Sequence, residues 1–310
     1  MFVESDTRKN VALNILHDEL KLEPLEVSRF TIGYCHNVYY VETKAEKYVL
    51  RITGEESKHF YLGSIKWLSE LSLLEIPVPK ILEHGQHKDV YYVLMTYILG
   101  KDLGEIYHTL DDLQKCTIVK SLVGIQKKIS TLPPNKEYGY GYNSFNTWIE
   151  FLESLIERSR KRITKNNVFD TVVCDNVFAA IDVQKDYLMN VEPLAFLDDI
   201  TTKNVLVQSG KLVGIVDVDE ICYGDSLLTV GLTNMSLLAM KSDTKYIDFW
   251  LDELQATSSQ RKAVMLYTLL YCIDFMGEQG MTFDNDNTVV VSSEKVMLLK
   301  SIFHNLLDSL

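Results

Sequence analysis

The chain has 310 residues, 46% of them hydrophobic and 24% charged, a composition that excludes a disordered or fibrous protein. That length exceeds one minimal core and suits two unequal ones. With 43 acidic against 31 basic residues the formal net charge is -12, and so acidic a chain repels phosphate backbones, so nucleic acid is not an expected partner.

The elements follow in chain order. RKNVALNILHDEL, near the N-terminus, reads as an amphipathic helix with Val11, Ile15 and Leu16 on one face. The period then changes to two. VSRFTIG, NVYYVET and KYVLRIT are rich in β-branched and aromatic residues and are separated by short polar turns, the pattern of an antiparallel meander. A helix is expected over Lys58 to Leu74, with Ile65, Leu68 and Leu71 at helical spacing. The two prolines of IPVPKILEHG end it, and VYYVLMTYI is a further strand.

From DLGEIYHTLDDLQKCTIVKSLVGIQKKIS onward the patterns are mostly helical, and only two short runs, Val205 to Val207 and Leu212 to Val216, read as strands. Two domains are expected: residues 1–97, rich in strand with one packed helix, and residues 98–310, mostly helical with one β-hairpin. A cleft between two such lobes is a natural ligand site.

Several chemistries lack support. The N-terminus, MFVESDTRKN, alternates charges where a secretory signal needs an apolar run, and the most apolar stretch, AVMLYTLLYCIDFM, contains Asp274 and is too short for a bilayer. A cytoplasmic protein without a membrane partner is expected. The basic block RSRKR, Arg158 to Arg162, reads as a solvated helix face. Cys35, Cys116, Cys174, Cys222 and Cys272 form no CxxC pair and read as reduced core thiols. His84 and His87 have a chelating spacing but stand on a probable turn without a third ligand. There is no GxSxG elbow and no GxxxxGK[ST] phosphate loop.

One constellation remains. In LDDITTKNVLVQSGKLVGIVDV, Asp199 precedes Asn204 by five residues and Asp217 by eighteen, and a hairpin between Asn204 and Asp217 would return the second acid beside the amide. Phosphoryl transfer needs hard oxygen ligands for magnesium and a carboxylate that takes the acceptor hydroxyl's proton. These residue types, so spaced, supply both. Each alone could equally be a turn or capping residue, since Asp and Asn are ordinary turn formers.

The segment resembles the aminoglycoside phosphotransferase and choline kinase-like family of small-molecule kinases, whose motif runs HGDLxxxNVLV, a short turn, GVIDW and a GD pair. Here LDDITTKNVLV, QSGKL, VGIVDV and YGD keep the register. The resemblance implies a two-lobed protein-kinase-like α+β fold and ATP- or GTP-dependent, magnesium-dependent phosphorylation of a hydroxyl on a small molecule. It places Asp199 at the catalytic base position, Asn204 and Asp217 at the metal positions and Asp225 at a structural acidic position. FTIGYCHNVYYVETKAEKYVLRITG resembles the family's opening hairpin, which puts Gly33 to Asn37 over the phosphates and Arg51 at the phosphate-binding basic position. Tyr97 then falls at the hinge beside the nucleotide. The acceptor would be aminoglycoside-like, an amino alcohol or a sugar, and the acidic chain suits a cationic one.

Two departures bear on activity. Leu197 replaces the motif's His, where a spine residue can substitute by packing, and Ser64 stands where the helix should offer Arg51 a Glu. Arg51 could then hold phosphates without that partner, or Glu55 or Glu56 could approach from the preceding loop. The alternative reading is a catalytically silent kinase-like regulator that binds nucleotide or a partner. A protein-directed kinase is weaker, because no activation-loop and APE-like segment follows Asp217.

Overall fold

The computed structural model describes residues 6–30, 37–283 and 287–310. Its contacts divide the chain into two units, one of Met1–Gly100 with Val213–Glu220, the other of Lys101–Leu212 with Ile221–Leu310. The short return segment after the hairpin thus belongs with the N-terminal unit. Local bonds give the reason: Ile215 N–H donates to Pro77 O at 2.8 Å, and Asp219 is held by Arg51.

The first unit opens with α1 (Asp6–Asn14), which widens into a π-turn over Ile15–Glu19. Ala12, Ile15 and Leu16 are its buried residues, while Val11 is only partly covered. Strands β1 (Glu26–Arg29), β2 (Asn37–Glu42) and β3 (Lys47–Gly54) precede α2 (Lys58–Leu73), and β4 (Ile81–His87) and β5 (Val90–Thr96) follow it. They form one antiparallel sheet in the order β1-β2-β3-β5-β4. Tyr39, Val41, Leu50, Ile52, Tyr92 and Leu94 alternate inward from it and pack with the α1 residues as one core. Helix α2 buries Tyr61, Ser64, Trp67, Leu68 and Leu71, the stripe that spacings of three and four produce.

Strand β4 is not expected from the sequence, because its glycine and polar residues suggest a turn. It is an edge strand, where polar side chains are tolerated on the open side. His84 Nδ1 pairs with the Tyr61 hydroxyl at 3.1 Å and His87 Nδ1 with Glu19 at 2.7 Å, so both histidines are structural.

The second unit contains β6 (Lys101–Asp102), α3 (Leu103–Ile106), α4 (Asp112–Ile129), β7 (Tyr138–Tyr140), β8 (Asn143–Phe145), α5 (Trp148–Asn166), α6 (Val172–Val183), α7 (Lys185–Leu188), β9 (Leu194–Phe196) and β10 (Val205–Gln208). The chain returns along β11 (Lys211–Ile215), whose far half lies in the first unit, and continues with β12 (Cys222–Gly224), α8 (Leu227–Ala239), α9 (Lys245–Glu253), α10 (Ser258–Glu278), β13 (Thr282–Phe283), β14 (Asn287–Thr288) and α11 (Ser293–Leu307). Helix α10 is buried along most of its length and packs against α5, α8 and α11. Among the described residues, no helix is long and apolar enough to cross a membrane.

The expectation that only two strands interrupt these helices is corrected. A four-stranded sheet, β8-β7-β12-β9, and the short β6 beside β10 are also present. Strands of two or three residues carry no readable period. The basic block is likewise not wholly solvated: Arg158 and Arg162 reach Asp274 Oδ1 at 3.2 and 2.9 Å, and Ser159 joins them at 3.2 Å.

Candidate active site

The expected site residues fall into two groups, one in each unit. In the second, Phe196 ends β9, Val205 begins β10, and the eight residues between them form a loop. Asp199 is exposed at its crest. Asn204 Nδ2 donates to Asp199 O at 2.9 Å and to Asp199 Oδ2 at 3.0 Å, so the amide fixes both the backbone and the carboxylate of the expected base. Asn204 itself holds a left-handed backbone with φ 66°, a conformation that Asn tolerates better than most residues and that concentrates at functional loops.

Residues the sequence reading passed over brace this loop. Asp102, in the turn from β6 to α3, accepts from Gly104 N–H at 2.9 Å and, through its other oxygen, from Asn204 N–H at 3.1 Å. Gly104 N–H also donates to Thr202 O at 2.7 Å. Burial raises the Asp102 carboxyl above its usual range, and those two backbone donors pull it back. Asp198 accepts from the Tyr140 hydroxyl, and burial holds it too above the ordinary carboxylate range.

Leu197 is 4% exposed. Its N–H donates to Gln126 Oε1 at 3.1 Å, and its carbonyl accepts from Gln126 Nε2 at 2.7 Å and from Thr229 Oγ1 at 2.8 Å. The side chain therefore serves as core, and the backbone bonds that hold the loop base need no imidazole. Beyond β12, Asp225 is half-buried and accepts from the hydroxyls of Tyr187 and Tyr267 at 2.7 and 2.8 Å.

In the first unit, Arg51 stands on β3 between Val38 and Val93, and its side chain is 4% exposed. Its two terminal nitrogens donate to the two oxygens of Asp219, and Nη2 lies 3.5 Å from Asp217 Oδ1. Neither Glu55 nor Ser64 supplies this partner. Glu55 accepts from the Tyr91 hydroxyl at 2.6 Å, and Ser64 Oγ donates to Tyr61 O at 3.0 Å inside the helix. Asp217 is exposed and, like Asn204, left-handed, with φ 60°. Asn37 opens β2 opposite Ile52, and Tyr97 meets Tyr40 edge to face at 5.3 Å. Gly33 lies outside the described residues.

Each of the two expected metal residues, taken by itself, carries donors of the kind magnesium takes. Asp217 offers hard carboxylate oxygens, and Asn204 spends its amide nitrogen on Asp199 while neither bond uses its carbonyl oxygen. Among the described residues, no group of three or more His, Cys, Asp or Glu side chains could hold a metal.

A strongly perturbed acid also lies in the second unit. Burial, with Asp274 second, pushes Glu278 up to about 7, opposed by Arg162 and Lys203. Because the folded value exceeds the ordinary 4.5, the native state holds this proton more tightly; the stabilisation is complete below pH 4.5 and is lost as pH rises through 7. Glu278→Gln should therefore raise the melting temperature at pH 8 and flatten its pH dependence, the two chains converging below pH 4.5. The difference at pH 8 should be on the order of 2–3 kcal/mol. Unchanged pH dependence in thermal melts would place the titrating group elsewhere.

An antiparallel five-stranded sheet with one packed helix, followed by a helical unit whose Asp–Asn loop precedes a hairpin, defines an α+β fold of the protein-kinase-like class. Solved structures agree. The GDP complex of a mutant aminoglycoside 2'-phosphotransferase-IIIa matches with a TM-score of 0.72 at 15% identity, covering 96% of this chain and 97% of that one. A thermostable mutant of aminoglycoside phosphotransferase APH(4)-Ia matches in its apo form with a TM-score of 0.67 at 16% identity, over 96% and 98% of the two chains. Its ternary complex with AMP-PNP and hygromycin B matches at 0.65, again at 16% identity, over 96% and 97%. At such identities these likenesses establish the fold. No curated protein sequence matches.

The model of the APH family, described as the phosphotransferase enzyme family, matches residues 26–255, and the chain belongs to that family. It is a phosphotransferase of the small-molecule kinase type.

Proposed function

We propose that the chain moves the terminal phosphoryl group of ATP or GTP to a hydroxyl of a small molecule, with Asp199 orienting that hydroxyl and taking its proton. The observation that carries this is the Asp199–Asn204 pair, an exposed carboxylate held at both its backbone and side-chain oxygens on a braced, left-handed loop. Arg51 would hold phosphates, with Asn37 near them and Tyr97 beside the base. Asn204 and Asp217 would hold magnesium, which when bound bridges phosphate oxygens and offsets the charge on them.

The nucleotide complexes of the structural neighbours, with AMP-PNP and with GDP, support nucleotide use. The neighbour that carries hygromycin B supports a small hydroxylated acceptor. With a formal net charge of -12, a cationic amino sugar or amino alcohol is the favoured class. The departures behind the silent reading are both compensated: Leu197 is packed with its backbone bonded, and Arg51 has a carboxylate partner. Activity is therefore favoured over a regulatory role.

Thermal melts test the reading. With magnesium and nucleotide at a hundred times the dissociation constant, the native chain should gain about 2.7 kcal/mol, a melting shift of roughly 4–6 °C. Asp217→Ala should lose that response, and its own melting temperature should fall slightly, because alanine tolerates the left-handed φ of 60° less well than aspartate does. No shift in the native chain with either nucleotide would sink the proposal.

A further inference from the structure

Asp217 and Asp219 are two residues apart, with buried Val218 between them, and both face the Arg51 guanidinium. They do not share it equally. Asp219, whose side chain is 16% exposed, takes both terminal nitrogens in a fork-on-fork pair. Asp217, at 49%, makes the looser 3.5 Å contact with Nη2. One acid grips the guanidinium and the other stays open to solvent.

Helix α2 takes no part in this grip, and its packing explains why. A Cβ on Gly63 would stand 2.1 Å from Asp219 O, so the helix backbone presses directly on the segment that carries the acid. Ser64 beside it is buried with its hydroxyl turned back on its own helix. The carboxylate that the helix lacks is supplied from the segment after β11, within the same unit.

The geometry points to Asp219 as a positioning residue for phosphoryl transfer: it fixes the Arg51 fork for the nucleotide phosphates and leaves Asp217 available to a metal. This rests on the phosphotransferase reading above. A bidentate Arg–carboxylate pair fixes orientation as well as charge, and a buried guanidinium deprived of it would reorient or draw on Asp217. The arrangement also makes the placement of Arg51 independent of any acid on helix α2. Gly63 is then required by close approach, since any side chain there would push the helix from Asp219.

The test compares native protein, Asp219→Asn and Asp219→Glu by steady-state kinetics with magnesium and ATP or GTP, with circular dichroism as the check on folding. Asp219→Asn should raise the nucleotide KM by about 10- to 100-fold and leave the acceptor KM at its native value. Asp219→Glu, which keeps the charge but lengthens the arm by one methylene, should fall between the two. Where Asp219→Asn does not fold, Asp219→Glu decides alone by the same constant. Folded variants with a native nucleotide KM would overturn the positioning role while leaving the kinase reading intact. A native chain that neither binds nucleotide nor transfers phosphate would sink both.

Discussion

Asp199→Asn should lower the rate of phosphoryl transfer by about 10²- to 10⁴-fold, the usual contribution of a positioned general base. That corresponds to roughly 3–5 kcal/mol of transition-state stabilisation at 1.36 kcal/mol per tenfold. The substitution isolates the chemistry because it preserves the local geometry. Asp199 is exposed, so no core contact is lost, and the replacement amide can still accept from Asn204 Nδ2 through its own carbonyl oxygen. What it cannot do is accept the hydroxyl proton. The loop remains tied through Asn204 N–H to Asp102 and through Thr202 O to Gly104, so the magnesium-dependent nucleotide shift should persist unchanged. Rates would be measured with a panel of aminoglycosides, amino alcohols and sugars. If Asp199→Asn transferred phosphate at the native rate, Asp199 would not be the base, and the loop geometry would need another purpose.

Much of this was legible before any coordinates, and the reasons are local. Strands β2, β3 and β5 announce themselves because β-branched and aromatic residues alternate through them, and one face of each is buried in the same core. Helix α2 shows its stripe for the same reason. The spacing of Asp199, Asn204 and Asp217 is legible because a short loop and one hairpin, β10 with β11, join them. Family membership follows from that segment more than from composition.

What stayed hidden depends on partners distant in sequence. Asp219 looks like any carboxylate beside a turn, and only its approach to Arg51, 168 residues away, shows that it replaces the missing helix acid. Asp102 reads as a helix cap, which it also is, while its second oxygen serves Asn204 across 102 residues. Asp198 carries no sign of burial until Tyr140 arrives from β7. One signal could have pointed to Asp219: a permanently charged Arg on a central strand must find a carboxylate if it is buried, and the helix offers none between Glu56 and Glu70. The nearest unassigned acids beside the metal position were then the candidates.

The largest expected loss of stability lies at Trp148, beside the strand that leads into the Asp199 loop. Its side chain is 1% exposed at the start of α5, stacked on Phe151 at 5.0 Å and edge-on to Phe196 at 6.4 Å, so it packs against the last residue of the strand that leads into the loop. The fit is close enough that a Cβ on Gly224 would stand 2.2 Å from the indole, which requires glycine there, as does its φ of 149°. The indole N–H donates to Tyr267 Oη at 2.9 Å, and that hydroxyl in turn donates to Asp225. Trp148→Ala should therefore cost about 3–5 kcal/mol, the sum of lost apolar burial and an unfilled cavity, seen as a lower midpoint in urea. Trp148→Phe keeps most of the ring contact and loses one buried hydrogen bond, so it should cost about 1–2 kcal/mol. The pair separates packing from polarity. Equal losses in the two variants would mean that the Tyr267 bond, and through it the Asp225 cluster, matters more to the helical unit than the volume of the indole.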